Sequence, residues 1–219
     1  MLSHTEENYL KAIFKLLEKG EKSASTNAIS KEISTSAASV TDMLKRLSEK
    51  KLIHYEKYKG VTLTTTGNST ATSLIRKHRL WEVFLVDKLN FSWDEVHDIA
   101  EEMEHIQSNE LINRLDAFLE HPKFDPHGDP IPDKEGNFAF RHQTSMKDIK
   151  VEGLAIIVGV KEHSTPFLQY LDQIGLILGT PIQVLEHIEY DGSTKIKIND
   201  TIEHIISFKV SKNIFVQKS

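Results

Sequence analysis

The first quarter of the chain has apolar residues at helical spacing in three consecutive segments. They recur over 2–17, where Gly20 is placed to end the helix, and again over 27–33 and 37–50. The last two segments are short and are separated by the turn sequence STSAA. Two helices around a tight turn predict a helix-turn-helix, whose second helix reads the major groove of DNA.

Two runs of β-forming residues follow directly, over 52–55 and 61–64, and flank a basic loop. A basic hairpin after a recognition helix predicts the wing of a winged helix. Small polar residues at the start of that helix let its backbone approach base edges, and basic residues reach phosphates. A helix with a small-residue surface and no DNA partner is the alternative. The predicted DNA-contacting residues are Ser36, Ala38, Ser39, Thr41, Lys45, Arg46, Lys57, Tyr58 and Lys59.

Longer helices are predicted in the middle of the chain, over 68–87, 93–107 and 108–119, with Ser92 as the N-cap of the second. Their apolar faces are wide, which suits packing against more than one partner. Residues 121–145 are rich in Pro, Gly, Asp and Asn, the composition of a connecting segment.

Short β-type runs make up most of the remaining chain, with one helical piece over 165–174. A small, partly open barrel is the economical fold for this pattern. The chain is therefore predicted to be a multidomain α+β protein. Its predicted parts are a winged helix-turn-helix at 1–70, an all-helical domain at 71–130, a linker at 131–147 and a β-barrel domain at 148–219. The predicted strands cover 150–160, 181–190, 195–198, 205–210 and 214–216.

Charge is distributed unevenly along the chain. The net charge is −5, yet residues 1–79 hold 14 basic and 8 acidic side chains, and residues 80–219 hold 13 and 24. Phosphate affinity depends on local positive potential and not on the total charge of the chain. The basic N-terminal part is therefore compatible with a nucleic-acid partner, and an ordinary fluctuation of charge is the alternative.

The chain has no cysteine. This excludes disulfides and zinc-thiolate sites, so any metal must be held by histidine, carboxylate or amide oxygen. The starting sequence MLSHTEENYL lacks the features of a signal peptide, and no stretch approaches the roughly 18 apolar residues of a membrane span. We expect a cytoplasmic protein with no membrane partner.

Residues of metal-ligand type cluster on the predicted middle helices. Glu101, Glu104 and His105 are spaced so that they project from one helix face and could hold a single ion, and His97 lies one turn earlier. Taken alone, such a group is more often a solvated polar face. A metal site gains weight from its position beside a winged helix.

Two further pairs have the same chemistry. His78 and Glu82 present an imidazole and a carboxylate side by side on the preceding helix. His127 lies in the segment KFDPHGDPIP, with Asp125 two residues earlier. The Asp-Pro-His-Gly turn is equally typical of ordinary loop chemistry.

Four segments of the chain have a distinctive sequence: RKHRLWEVFLVDKL, VHDIAEEMEHIQSNEL, HPKFDPHGDPIP and the wing sequence EKYKGVTLTTTG. Together they resemble the diphtheria-toxin-repressor family, particularly its three-domain manganese-responsive members. The resemblance is strong over 4–132 and weaker through the C-terminal part, which looks like the SH3-like module of these repressors. It implies that 71–130 is the metal-binding and dimerisation domain.

The resemblance also implies two metal sites. One falls on Asn8, His78, Glu101, Glu104 and His105. The other falls on Glu82, Asp125, His127 and a C-terminal residue, for which His163 is the best match and Glu162 its neighbour. His97 matches an ancillary ligand of iron-responsive relatives. Asn8 stands where manganese-responsive members often have Asp, Asp125 where some have Cys, and His163 where a carboxylate is seen.

Glu101 bears on the choice of metal. Iron-responsive relatives have Cys at that position and manganese-responsive relatives have Glu, and oxygen ligands suit manganese better than soft sulfur. Mn(II) is therefore the first expectation and Fe(II) the alternative, because Fe(II) also accepts imidazole and carboxylate ligands.

The resemblance implies a metal-dependent repressor that dimerises, binds its metal as co-repressor, and then binds a palindromic operator to control metal-uptake genes. A metal-independent winged-helix regulator that answers to a small molecule or protein is the alternative. An enzyme is not expected, since the sequence has no nucleophile motif, no HExxH and no phosphate-binding glycine loop.

Overall fold

The computed structural model describes residues 2–56 and 59–218 of an α+β chain. The chain forms two compact units, each continuous in space but not in sequence. The first comprises Met1–His78, Glu101–Asn109 and Pro132–Phe138, and the second comprises Arg79–Ala100, Glu110–Ile131 and Ala139–Ser219.

The first unit contains the predicted winged helix-turn-helix. Three helices are followed by an antiparallel hairpin in which Ile53 pairs with Leu63 and Tyr55 with Val61. Leu10, Leu44 and Leu47 are completely buried in its core. The elements are α1 (His4–Glu18), α2 (Thr26–Glu32), α3 (Ala37–Glu49), β1 (Ile53–Glu56) and β2 (Gly60–Leu63).

Helix α1 begins where the sequence has a capping box. The hydroxyl oxygen of Ser3 accepts a hydrogen bond from the backbone N–H of Glu6, and the Glu6 carboxylate accepts one from the backbone N–H of Ser3. Gly20 follows the helix with φ +90°, a conformation that glycine adopts without steric cost. The predicted first helix is confirmed within two residues at each end.

Three further helices are α4 (Thr65–Leu89), α5 (Val96–Met103) and α6 (Asn109–Phe118). The prediction of a helix over 93–107 with Ser92 as its N-cap is wrong at both ends. The Ser92 hydroxyl donates to the Asp94 carboxylate, and its backbone N–H donates to Glu95 at 3.1 Å, which makes a turn before α5 begins. Glu104 and His105 lie in the turn that follows Met103.

The C-terminal part of the second unit is a six-stranded antiparallel sheet, as the predicted β-rich domain requires. Its strand order is β3-β8-β4-β5-β6-β7. The strands are β3 (Thr144–Ser145), β4 (Leu154–Val160), β5 (Pro181–His187), β6 (Thr194–Ile198), β7 (Ile202–Ile206) and β8 (Ile214–Lys218), with helices α7 (Thr165–Gln173) and α8 (Phe208–Ser211) between them.

One predicted strand of this sheet is wrong in its second half. The sequence pattern predicts a strand over 205–210, but β7 ends at Ile206 and a helical turn begins at Phe208. The cause is Ser207, whose hydroxyl oxygen accepts a hydrogen bond from the backbone N–H of Val210 at 3.3 Å and caps the turn.

Trp93 extends the core of the second unit beyond the sheet. Its ring is 8% exposed and belongs to the same apolar cluster as Leu168 and Leu171. Its indole N–H donates to the Asp172 carboxylate at 3.0 Å. Among the helices of residues 2–56 and 59–218, none combines the length and apolar character needed to cross a membrane.

Candidate metal centres and DNA-binding surface

The turn DPHGD in the second unit places Asp125 and His127 side by side. One carboxylate oxygen of Asp125 accepts hydrogen bonds from the backbone N–H groups of His127 at 2.9 Å and Asp129 at 3.0 Å. Gly128 has φ +89°, and a Cβ there would lie 2.2 Å from the carbonyl oxygen of Val158. The turn therefore needs Asp at its start and Gly within it.

Glu82 of α4 completes a buried group with these two residues, which we call the Glu82 cluster: Glu82, Asp125 and His127. One ligand atom from each lies within 4.8 Å of the others. The three residues are 2%, 5% and 1% exposed. Such burial of two carboxylates is costly unless a positive charge accompanies them.

The ring of His127 is oriented by the main chain. Its Nε2 lies 2.8 Å from the carbonyl oxygen of Trp93, and because a carbonyl only accepts, Nε2 must carry the proton. Nδ1 is buried without a hydrogen-bond partner and lies 3.7 Å from a carboxylate oxygen of Glu82. A carbonyl that holds one imidazole nitrogen while the other faces carboxylates is the usual arrangement around a metal-ligating histidine.

Charge within the Glu82 cluster is reflected in its pKa values. Burial raises the pKa of Asp125 to about 7, and the Glu82 and Asp129 carboxylates act in the same direction. Burial alone would lower the pKa of His127, but Glu82 and Asp125 outweigh it and raise that pKa to about 9. Arg79 supplies a nearby positive charge, with Nε 3.5 Å from Asp125.

The remaining predicted ligands of this site lie beside the cluster. His97 Nδ1 is 3.5 Å from Glu82. The His163 ring stacks on the His127 ring with centroids 4.8 Å apart, and its Nε2 is 3.9 Å from the Asp129 carboxylate. Glu162 points elsewhere, because its carboxylate accepts hydrogen bonds from Ser164 and Asn213.

A second group lies in the first unit, and we call it the Glu104 cluster: His78, Glu101, Glu104 and His105. Glu104 is 1% exposed and its Oε2 lies 2.6 Å from His78 Nδ1. Lys11 of α1 donates to both Glu104 oxygens, at 2.9 and 2.7 Å. Burial would raise the pKa of Glu104, but the hydrogen bond with His78 and the charge of Lys11 outweigh it and lower that pKa.

His105 is held from its other side by Glu7. The carboxylate of Glu7 lies 2.6 Å from His105 Nδ1 and also accepts a hydrogen bond from Gln107 at 2.9 Å. An ionised carboxylate only accepts, so Nδ1 is the donor. The opposite nitrogen, Nε2, lies 4.0 Å from Glu104. Glu7 therefore holds the ring with its Nε2 toward Glu104.

Asn8 and Glu101 border a cleft of about 320 Å³ beside this cluster. Glu101 is half exposed, and a carboxylate oxygen lies 3.5 Å from Lys11 Nζ. Asn8 is exposed on the same helix as Lys11. Glu7 and Lys11 were not among the predicted site residues, although their spacing of four residues on α1, on either side of Asn8, indicates that they share a helix face.

The predicted DNA-contacting surface is mostly exposed. Ser36, Ala38, Ser39, Lys45 and Arg46 are all exposed. Ser36 caps α3 by accepting from the backbone N–H of Ser39 at 3.1 Å. Lys45 Nζ lies 3.3 Å from Asp42.

Two other predicted DNA-contacting residues make contacts within the protein. The Thr41 hydroxyl donates to the carbonyl of Ala37 at 2.9 Å. In the wing, Lys59 is paired with Glu56 at 2.7 Å. Lys57 and Tyr58 lie outside the described residues.

Both clusters suit a hard or borderline divalent cation, because their donors are carboxylate oxygens and imidazole nitrogens. In the Glu82 cluster, His127 Nδ1 has no hydrogen-bond partner and lies near the carboxylates of Glu82 and Asp125. The residues present therefore fit a bound metal.

Sequence profiles of known families match three parts of the chain. Residues 1–61 match the iron dependent repressor N-terminal DNA-binding domain. Residues 64–133 match the iron dependent repressor metal-binding and dimerisation domain. Residues 144–218 match the FeoA domain.

Solved structures and curated proteins agree with these matches. A manganese-dependent transcriptional repressor in complex with manganese superposes with a TM-score of 0.86 at 31% identity, over 98% of this chain and 100% of that one. The manganese regulator SloR gives a TM-score of 0.75 at 35% identity over 98% of each chain. The iron-dependent repressor IdeR of Mycobacterium leprae (strain TN) is 34% identical over 60% of this chain, which is 56% of its own length.

Over that length the chain spans about half of the curated relative. The whole-length similarity to solved repressors is nevertheless above 30% identity. The chain therefore belongs to the iron-dependent repressor family of metal-dependent transcriptional regulators, which includes the diphtheria toxin repressor.

Proposed function

We propose that this chain is a homodimeric transcriptional repressor that binds Mn(II), or Fe(II) as the alternative, and then a palindromic operator that controls metal-uptake genes. The observation that carries the proposal is the buried Nδ1 of His127, which faces Glu82 without a hydrogen-bond partner. Since operators lie on the chromosome, we place its action in the cytoplasm.

The donor set supports manganese ahead of iron. Both clusters use only oxygen and nitrogen donors, and the chain has no cysteine to favour a softer ion. Two similar solved structures are described as manganese-dependent or manganese regulators, whereas the similar curated proteins are described as iron-dependent. Selection between the two metals then depends on their availability, because Fe(II) binds such donors at least as tightly as Mn(II).

Each cluster contributes differently to the proposed switch. In the Glu82 cluster, a bound divalent cation would add positive charge beside the buried carboxylates of Glu82 and Asp125. In the Glu104 cluster, His78 and Glu104 face α1, the first helix of the winged domain, through Lys11. These residues are therefore placed to fix α1, and with it the recognition helix packed in the same apolar core.

The coupling between metal binding and the position of α1 sets the expected change in operator affinity. In a dimer, both recognition helices must meet half-sites one helical turn apart, so restricting α1 lowers the cost of reaching that spacing. A coupling of about 1 to 3 kcal/mol changes operator affinity roughly 5- to 150-fold.

Exposed apolar residues of α6 support self-association. Leu111 and Phe118 are 40% and 60% exposed in the second unit. Phe118 also packs against Phe84 with ring centroids 6.4 Å apart. Large exposed apolar side chains two turns apart on one helix face favour an interface with a second copy.

Operator binding tests the proposal. Purified protein would be titrated against promoter fragments from metal-uptake operons of its own genome, first with chelator and then with Mn(II), anaerobic Fe(II) and Zn(II) separately. We expect binding to appear with Mn(II) or Fe(II) and to be lost on chelation. Equal binding in chelator would contradict the proposal and favour the metal-independent regulator.

A further inference from the structure

Lys11 occupies the centre of the Glu104 cluster. Its ammonium contacts both oxygens of Glu104, at 2.9 and 2.7 Å, and lies 3.5 Å from His78 Nδ1 and from a Glu101 oxygen. The lysine side chain is 6% exposed and that of Glu104 is 1% exposed. A buried ammonium is costly unless it is paired, and these carboxylates pair it.

We propose that Lys11 is a resident cation of the Glu104 cluster, which a divalent metal must replace, and that this exchange raises the metal concentration at which the cluster fills. The inference rests on the proposed function. Both Glu104 oxygens are engaged by Lys11, so the carboxylate gains a metal only by releasing the ammonium. Like charges a few ångströms apart in a buried site repel strongly, which prevents both from staying.

The released ammonium of Lys11 can move into an adjacent cleft. Lys11 borders the cleft of about 320 Å³ that Asn8, Glu32 and Glu101 also line. Glu32 is already paired with Lys19 at 3.3 Å, an exposed contact that water screens. The side chain of Lys11 can therefore move into a cleft that is open to water and is lined by Glu32 and Glu101 as well as by Lys15, so its release costs less than exposure to an apolar surface would.

The same lysine also stabilises the metal-free protein. Without it, Glu104 would be a buried carboxylate with one less positive partner, which is strongly destabilising. Removal of the Lys11 charge should therefore have two effects of opposite sign: tighter metal binding and lower metal-free stability. A purely structural lysine would lower stability without a gain in affinity, and a lysine that assists metal binding would weaken it.

The test compares Lys11→Met with the parent, both in a His127→Ala background that disables the Glu82 cluster. Mn(II) binding would be measured by isothermal titration calorimetry, and thermal unfolding would be followed in chelator. Lys15→Met is the matched control, since it removes a charge from the same helix and from the lining of the same cleft. We expect Lys11→Met to bind Mn(II) about 10-fold tighter and to unfold at a lower temperature without metal, and Lys15→Met to change neither appreciably.

Unchanged or weaker Mn(II) binding by Lys11→Met would overturn the inference. If that variant does not fold, Lys11→Arg provides a second test. A guanidinium pairs with carboxylates bidentately and should hold Glu104 more firmly than the ammonium does, so we expect Lys11→Arg to bind Mn(II) more weakly than the parent. Mn(II) affinity in Lys11→Arg equal to or above that of the parent would overturn it too. If neither the unaltered protein nor its His127→Ala variant binds Mn(II), the proposed function itself is overturned, and the inference with it.

Discussion

The backbone carbonyl of Trp93 lies 2.8 Å from His127 Nε2, and this contact decides which nitrogen of His127 faces Glu82. Trp93 is fixed in turn by its ring, which is buried in the core of the sheet, and by its hydrogen bond to Asp172. The imidazole is thus oriented by the fold and not by the ligand that it is proposed to bind. Pre-orientation of this kind reduces the cost of metal binding.

Removal of the His127 imidazole should therefore remove a metal ion. His127→Ala leaves Glu82 and Asp125 without their nitrogen donor, and we expect the Mn(II) stoichiometry per subunit to fall by one. Equilibrium dialysis measures this directly. His121→Ala is the matched control, because His121 is exposed and paired with Asp116. An unchanged stoichiometry in His127→Ala would exclude the Glu82 cluster as a site.

Glu7 should act on metal affinity through His105. Glu7→Gln keeps the size of the side chain but loses the charge that holds the protonated Nδ1, so the ring is no longer fixed toward Glu104. Loss of such a partner typically costs about 10- to 100-fold in metal affinity. Calorimetry with Mn(II) checks the affinity, and nitrogen NMR of the imidazole checks the tautomer. Glu21→Gln, an exposed charge in the same unit, should change neither; a Glu7→Gln protein with parental affinity would contradict the assignment.

The metal-free protein should lose stability as pH rises. Asp125 has its pKa raised from 3.8 to about 7, and His127 has its pKa raised from 6.5 to about 9. A raised pKa means that the folded state binds protons more tightly than the unfolded state, so the stability linked to each group is lost as pH rises through its folded pKa. We expect the melting temperature in chelator to fall between pH 6 and pH 9.

Metal should reverse this trend. Binding requires Asp125 and His127 to be deprotonated, so it should release protons and should stabilise the protein more at pH 8 than at pH 6. Asp125→Asn should flatten the metal-free profile below pH 7. Differential scanning calorimetry across this range, with and without Mn(II), provides the comparison, and a metal-free melting temperature that climbs from pH 6 to pH 9 would contradict the assignment.

The contribution of Arg46 to DNA binding should appear in how the affinity depends on salt concentration. It is exposed on α3, six residues after the buried Val40 and next to Lys45. If it reaches a phosphate, Arg46→Ala should weaken binding to all sequences alike and reduce the slope of log affinity against log salt by about 1. Fluorescence anisotropy at several salt concentrations measures that slope. A loss of sequence preference instead would indicate a base contact.

Phe118 should be needed for the dimer. Phe118→Glu places a charge on the exposed apolar surface of α6, and we expect sedimentation to show mostly monomer at concentrations where the parent is dimeric. Tyr190→Glu alters a side chain that is 99% exposed and should leave the dimer intact. A dimeric Phe118→Glu protein would place the interface elsewhere.

Much of the fold was predictable because periodicity dominates it. The winged helix and the β-rich C-terminal part follow from apolar spacing, and the described elements confirm them. The start of α5 was not predictable in this way. Ser92 is a good helix-capping residue, but its interactions with Asp94 and Glu95 make a turn first, and local side-chain bonds of this kind leave no periodic signal.

The residue types of the candidate site were predictable, but the contacts among those residues were less so. Glu82, Asp125 and His127 could be proposed from the sequence, yet their convergence depends on a turn and a helix more than forty positions apart. Lys11 was missed because a basic residue does not count as a metal ligand, although here it binds the central carboxylate. Long-range charge pairing has no sequence signature in a single chain.

Anomalous X-ray diffraction at the manganese edge, on crystals grown with Mn(II), tests the central claim most directly. We expect one peak among Glu82, Asp125 and His127 and another beside Glu104, with the Lys11 ammonium moved away from the Glu104 carboxylate. The absence of a peak at both clusters in protein saturated with Mn(II) would contradict the account.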